Sequence, residues 1–321
     1  MKLIVSRFTI PQGGDSSTGK KPPGGRRRKV MTLLLGTALT LGVCLAAEMI
    51  PARDSLPTLA AADGQTGTPL PVIYYPQIVA DGEKGDSKAA LPVSLLEKDL
   101  DWLAENGYQT VSCSGLISGV RGMEKLPEKP VLLVFGGSWQ SILTEVCPLL
   151  AGRQDKGAAV IVGSDADLYS ADVPKKAGEA KLSWEDIRAV DPAVLDLVSG
   201  SYSLDERKGA DGRKGVAKRR GESFSAYRAF LADDLLAMQQ RMNEELSHDA
   251  SVFCYPFGEL SEESEAVLKE LGFLATLYEG KGTALLTDSE SLYGIPFLTR
   301  KAGRESSAFF EKAGLLAETE K

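Results

Sequence analysis

The chain has 321 residues, of which 43% are hydrophobic and 25% charged, the balance of a globular protein too long for one small domain. The net charge of −7 is uneven: residues 1–29 carry eight Lys/Arg against one Asp, so the remainder is strongly acidic. An acidic body argues against nucleic-acid binding, which needs a basic face for phosphates, and leaves neutral or cationic glycans open. At the N-terminus, Arg26-Arg27-Arg28-Lys29 precedes an uncharged apolar run, Val30–Ala47. As a helix that run would span ~27 Å, close to the hydrocarbon thickness of a bilayer. Positive charge before it holds residues 1–29, a Gly/Ser/Pro/Lys-rich disordered segment, in the cytoplasm and sends the rest outward. Residues 30–47 therefore read as an uncleaved signal-anchor at the cell membrane. Secretion after cleavage near Ala60-Ala61-Ala62 is the alternative, and a lipobox at Leu41-Gly42-Val43-Cys44 ranks third. Residues 48–70 form a linker.

From residue 71 short apolar runs alternate with amphipathic helices. Val72–Tyr75 is a strand candidate. Leu96, Leu100 and Leu103 mark a helix that ends at Asn106-Gly107, and Tyr108–Val111 is the next strand. Pro130–Phe135 is apolar throughout, as expected of a strand buried on both faces. A helix over Gln140–Leu150, a strand over Ala158–Val162, a helix capped by Ser183 and a strand over Ala193–Ser199 follow. Tyr227, Phe230, Leu231, Leu235, Met238 and Met242 line one face of a long helix over 224–246. Ser251–Tyr255 and Phe273–Tyr278 are strands flanking a helix at Ser261–Leu271, and residues 306–321 form a C-terminal helix or tail. Alternation of this kind predicts a parallel sheet with crossover helices, leaving open sheet and closed barrel undecided.

Cys113, Cys147 and Cys254 lack C-x-x-C spacing, which excludes a zinc finger; Cys113 and Cys254 read as small core residues beside strands. The chain has one histidine, His248, in the polar turn Leu246-Ser247-His248-Asp249, where it reads as solvated. Most hydrolytic zinc sites and nucleophile triads need a positioned imidazole.

Several blocks, weak singly but ordered and spaced together, resemble the polysaccharide deacetylase family (NodB homology domain) over about residues 71–300. They are Asp101–Tyr108, Leu126–Phe135, Leu182–Arg188, Tyr255-Pro256-Phe257-Gly258 and Glu270–Phe273. The resemblance implies a distorted (β/α) barrel over 71–305. It also implies metal-assisted removal of N- or O-acetyl groups from sugars, with one Asp as base and a second Asp and two His holding a zinc-like ion. The family's Phe-Asp-Asp-Gly-Tyr reads Phe135-Gly136-Gly137-Ser138-Trp139 here, and its Ser-His-Thr-Tyr-Asp-Leu-His reads Ser199-Gly200-Ser201-Tyr202-Ser203-Leu204-Asp205. Gly136 thus stands at the base position, and Gly137, Gly200 and Asp205 at the ligand positions. No metal cofactor is expected.

Three readings follow. The first is a catalytically inactive, membrane-anchored, extracytoplasmic deacetylase-like protein. It binds cell-wall polysaccharide or peptidoglycan through aromatic residues on the groove loops: Trp139, Tyr202, Tyr255 and Phe257. Against this, Tyr255 and Phe257 read more readily as packing of the barrel mouth, which leaves Trp139 as the best binding candidate. The second is a hydrolase active through other acids, with Asp165, Asp167, Asp205 and Glu206 as candidates. The third is a partner-binding envelope protein that docks through the basic run Arg213, Lys214, Lys218, Arg219 and Arg220.

Overall fold

The computed structural model describes residues 67–315, apart from 86–88, 172, 174, 175, 177, 208, 210 and 211. The basic N-terminal segment, the apolar run at 30–47, most of the linker and the last six residues lie outside the described residues. Among the described residues no helix is long and apolar enough to cross a membrane.

In chain order the first elements are β1 (Thr68–Leu70), β2 (Val72–Tyr75), β3 (Gln77–Val79) and β4 (Ala90–Pro92). They lead into α1 (Val93–Glu105), β5 (Gln109–Val111), α2 (Cys113–Val120) and β6 (Pro130–Phe135). A π-helical turn at Ile142–Val146 opens into α3 (Cys147–Arg153), followed by β7 (Gly157–Ile161), α4 (Gly163–Ser170), α5 (Trp184–Arg188) and β8 (Leu195–Ser199). The long α6 (Phe224–Leu246), β9 (Val252–Cys254), α7 (Glu262–Glu270), β10 (Ala275–Glu279), β11 (Ala284–Leu286), β12 (Ile295–Thr299) and α8 (Ser306–Lys312) complete it.

The question left by periodicity is answered by one pairing. Parallel strands run β2-β12-β10-β9-β8-β7-β6, and β6 pairs in parallel with β2 from Val72↔Leu132 to Tyr75↔Phe135, so the sheet closes into a seven-stranded barrel. β5 adds to the first half of β6, over Gln109↔Pro130 to Val111↔Leu132, while β7 takes the second half at Val134↔Ala158 and Phe135↔Ala159. This sharing distorts the barrel. β1 and β11 form an antiparallel flap of their own.

The continuous apolar run of β6 is explained by its two faces. Val131, Leu133 and Phe135 pack outward with Leu103, Leu150 and Leu195, whereas Leu132 and Val134 point inward with Val72, Val160 and Val252. Alternate residues therefore serve two cores, and neither face meets water. The helices cover the outer face: Leu96, Leu100 and Leu103 of α1, and Tyr227, Leu231, Leu235, Met238 and Met242 of α6, are all buried. Phe230, expected on that stripe, is only partly buried and stacks beneath the Arg213 guanidinium, 3.7 Å from its ring centroid.

Local chemistry sets the ends of these helices. Gly107 takes φ +76° after the Asn106 cap, and the Tyr108 N–H returns to the Leu103 carbonyl at 2.9 Å. Ser183 and Asp186 form a reciprocal capping box on α5. The helix expected over Gln140–Leu150 is instead a π turn followed by α3, with Pro148, which has no amide hydrogen, at the start of the α segment. Cys113, Cys147 and Cys254 are free thiols and buried, and burial pushes the Cys147 pKa up to about 11. His248 is exposed between α6 and β9, at the end of the barrel where the strands begin.

Candidate functional site

A cavity of about 310 Å³ opens at the carboxyl ends of the barrel strands, where β/α barrels carry their sites. Its wall brings together Gly137 after β6, Gly200 and Asp205 after β8, and Tyr255 and Phe257 after β9, residues up to 120 positions apart in sequence. Of the four positions singled out in the sequence, Gly137, Gly200 and Asp205 line this wall.

The backbone around this cavity is strained. Five described non-glycine residues adopt positive φ; Gln154 and Ser247 are helix C-caps. The other three, Ser138 (52°), Ser201 (87°) and Phe257 (57°), lie on the loops after β6, β8 and β9. Strain of this kind persists where the surroundings hold a particular loop geometry in place. One such restraint is Asp234 of α6, whose carboxylate accepts the backbone N–H groups of Tyr202 and Ser203, both at 2.8 Å, and the Ser203 hydroxyl at 2.9 Å.

The interior of the cavity differs from a metal centre. A Cβ on Gly136 would lie 1.8 Å from the Tyr74 hydroxyl and 2.2 Å from Tyr74 Cζ. A Cβ on Gly137, whose φ is +73°, would lie 2.2 Å from Trp139 Nε1. One on Gly200 would lie 2.6 Å from Val160 Cγ1. The volume that side chains would need at these three positions is therefore already held by Tyr74, Trp139 and Val160. Tyr74 is fixed by stacking on Phe297, with centroids 4.5 Å apart, and Trp139 by donating its indole N–H to the Pro76 carbonyl at 3.0 Å.

A cation of the protein's own lies here. Lys181 Nζ donates to the Gly137 carbonyl, sits 3.3 Å from the Trp139 ring centroid and lies 3.6 Å from Asp165 Oδ2. Asp205 is exposed by area but walled by the pocket. Desolvation raises its carboxyl pKa, Lys181 pulls it back, Asp165 pushes it up and Arg207 lowers it. Asp165 is likewise raised by desolvation and restrained by Lys181. Burial, then Cys254, Asp205 and Glu279, lift the Tyr74 phenol well above its ordinary range, so it stays protonated.

A zinc-like ion needs three protein donors and an open position. The cavity offers one family-equivalent carboxylate, two glycines without donors and an ammonium group, and among the described residues no cluster of three His, Cys, Asp or Glu could hold a metal. The residues present do not fit the family's ion.

The four aromatic candidates separate. Trp139 lines the cavity but is 7% exposed, with Lys181 over its ring. Tyr255 also lines it, yet its hydroxyl is turned inward to Ser264 at 2.9 Å and Glu265 at 3.0 Å. Phe257 is partly exposed, with the Arg207 guanidinium 5.0 Å from its ring centroid. Tyr202 is a correction: it does not line the cavity. Its hydroxyl donates to Asp167 at 2.9 Å and its ring lies against Gly163, because Asp234 fixes its backbone facing α4. Tyr74 and Lys181, which shape the interior, were not singled out from the sequence. The strand candidate Val72-Ile73-Tyr74-Tyr75 carries two tyrosines, and nothing in it marks Tyr74 as the one that turns inward.

The remaining candidates are accounted for locally. Against a desolvation penalty that alone would raise it, hydrogen bonds from Trp184, Arg241 and Tyr202 hold the Asp167 carboxyl below its ordinary value. Glu206 is exposed. The basic run is largely neutralised: Arg213 and Arg219 pair with Glu222, Lys214 with Glu259, and Lys218 with Glu263.

A closed parallel barrel with a polar cavity at its strand carboxyl ends defines the class. No family model matches the chain. It is 29% identical over 216 residues to the poly-β-1,6-N-acetyl-D-glucosamine N-deacetylase of Escherichia coli K12, a match covering 61% of this chain and 32% of that protein. The match thus spans about a third of the length of that curated relative. Among solved structures, a de-N-acetylase from Aggregatibacter actinomycetemcomitans superposes with TM-score 0.63 at 20% identity, covering 75% of this chain and 98% of that one. IcaB from Ammonifex degensii superposes with TM-score 0.61 at 19% identity, covering 78% and 97%. By sequence relationship and fold the chain is similar to polysaccharide deacetylases, the family its motif order resembles.

Proposed function

We propose that this protein is a non-hydrolytic deacetylase-like module of the cell envelope. In this reading it is tethered to the membrane by residues 30–47, faces outward, and uses the barrel mouth to hold a glycan it does not deacetylate. The observation that carries the reading is the filled interior: the Tyr74 hydroxyl and the Trp139 indole occupy the space that acidic side chains at 136 and 137 would need. Loss of a side chain alone leaves a gap that a mutation or a water can refill. Here the neighbours have closed over the gap, and Lys181 brings a fixed positive charge against the Gly137 carbonyl.

The strained loops at Ser138, Ser201 and Phe257 support a binding role for the mouth, since strain of this kind clusters at functional sites. Phe257, partly exposed beside Arg207, is the aromatic face best placed for a sugar ring.

The test uses full-length protein in detergent with N-acetylglucosamine oligomers. Saturable binding without acetate release, weakened by Phe257→Ala, is the expected result. Catalytic acetate release would favour the alternative of a hydrolase working through unconventional residues such as Asp165 and Asp205.

A further inference from the structure

Beside the barrel-mouth cavity lies a second and larger one, about 830 Å³, bounded by the loop after β10, the loop after β12 and α8. The two cavities share Glu279 and Thr299 as a common wall, so they run together across the mouth. Four cations ring the second cavity: Lys281, Lys301, Arg304 and Lys312. All four are exposed, and among the described residues none forms an ion pair, in a chain whose net charge is −7. The contrast with Arg213–Arg219 is informative. Cations adjacent in sequence are matched by Glu222, Glu259 and Glu263, whereas those gathered by the fold from three segments have no acidic partner among the described residues.

The groove is also pre-shaped. Arg300 is fully buried and satisfied on one edge by Asp99, at 2.7 and 3.0 Å. Its remaining N–H groups clamp the carbonyls of Lys301 and Arg304, both at 2.9 Å. The backbone carrying two of the four cations is therefore fixed before any ligand arrives, which lowers the ordering cost of binding. The floor is apolar, formed by Leu298 and Phe309. The only acid on the wall, Glu279, is engaged by the Thr299 hydroxyl at 2.9 Å.

We infer that this groove binds an anionic stretch of a carbohydrate polymer, one bearing carboxylates or phosphodiesters, and feeds that strand past the barrel mouth. Four cations with no ion pair among the described residues, set around a concavity, suit a chain of spaced negative charges, and an apolar floor suits the carbon faces of sugar rings. A planar bilayer surface would not reach into a concave site. The inference rests on the glycan-binding reading only for the direction in which the strand continues.

The test is calorimetric titration of full-length protein with oligogalacturonate, with N-acetylglucosamine oligomers and phosphatidylglycerol vesicles as separate arms. Oligogalacturonate should bind saturably, more weakly as salt rises. The pair Arg304→Glu and Lys312→Glu should weaken it by about tenfold or more. The same pair should leave N-acetylglucosamine oligomer binding unchanged, and Arg220→Glu, an exposed cation elsewhere, should leave oligogalacturonate binding unchanged. Should the reversed pair misfold, Lys301→Gln with Lys312→Gln gives the same readout with smaller loss. Absence of oligogalacturonate binding, indifference to the groove variants, or preference for the vesicles would overturn the inference. Loss of the N-acetylglucosamine arm alone would count against the barrel-mouth reading and not against this one.

Discussion

Glu222 receives both terminal nitrogens of Arg213, at 2.8 and 3.0 Å, with the two side chains no more than 5% exposed. This pair closes the loop ahead of α6. Hydrogen bonding from Arg213, aided by the Arg219 amide, holds the Glu222 pKa down to about 2 from an ordinary 4.5. A depressed carboxylate contributes stability that is present above its ordinary range and lost as pH falls toward the folded value. Denaturant melts across the acid range should show such a loss between about 4.5 and 2. Glu222→Gln should flatten that limb and cost about 3–5 kcal/mol near neutral pH, because the buried Arg213 guanidinium loses its carboxylate partner. An unchanged acid limb in the variant would contradict this.

Asp205 and Asp165 behave with the opposite sign. Desolvation raises both, so each favours the fold most when protonated, and its contribution falls as pH rises through the folded value. Lys181 counteracts the rise at both sites. Lys181→Met should therefore move both carboxyl titrations upward, read by carbon-13 NMR of the side-chain carboxyls. Titrations that stay in place would show that the ammonium does not act on the pocket.

Gly136 and Tyr74 should be energetically coupled. Gly136→Ala puts a methyl into the phenol ring, an overpacking expected to cost about 1–3 kcal/mol. In a Tyr74→Ala background the same substitution should cost much less, giving a non-additive cycle. Additive effects in chemical denaturation would mean that the phenol does not fill this space.

Asp99 ties α1 to the end of β12 through Arg300, and accepts a further hydrogen bond from the Tyr75 hydroxyl at 3.1 Å. Asp99→Ala should cost about 3–5 kcal/mol by leaving a buried cation unpaired. Hydrogen exchange should quicken across residues 301–304 more than at β6. Uniform exchange would show that the clamp on that loop is not set by this pair.

Much of the barrel was legible because its strands and helices carry their own signals. β6 is a bare apolar run bounded by charged and polar residues, and α6 shows an apolar stripe with a serine cap. The elements that escaped lack such signals. α2 reads Cys-Ser-Gly-Leu-Ile-Ser-Gly-Val, poor in helix formers, and is held by Ser112 accepting from the Gly115 amide at 3.1 Å. β12 contains Pro296, which argues against an interior strand. Barrel closure itself depends on β2 meeting β6, a pairing across some 60 residues that periodicity does not encode. At the site, sequence order pointed to Gly136, Gly137 and Gly200 but not to the side chains that crowd them. Lys181 and Tyr74 are 107 positions apart, and only the fold places both beside these glycines.

We propose that this barrel mouth does not hold the ion of the deacetylase family. Equilibrium dialysis of the full-length protein against zinc and cobalt, followed by elemental analysis, tests it most directly, and is repeated after Tyr74→Ala with Gly136→Asp and Gly137→Asp. No stoichiometric metal is expected in the native chain. One tightly held ion per native chain, lost on Asp205→Ala, would contradict it.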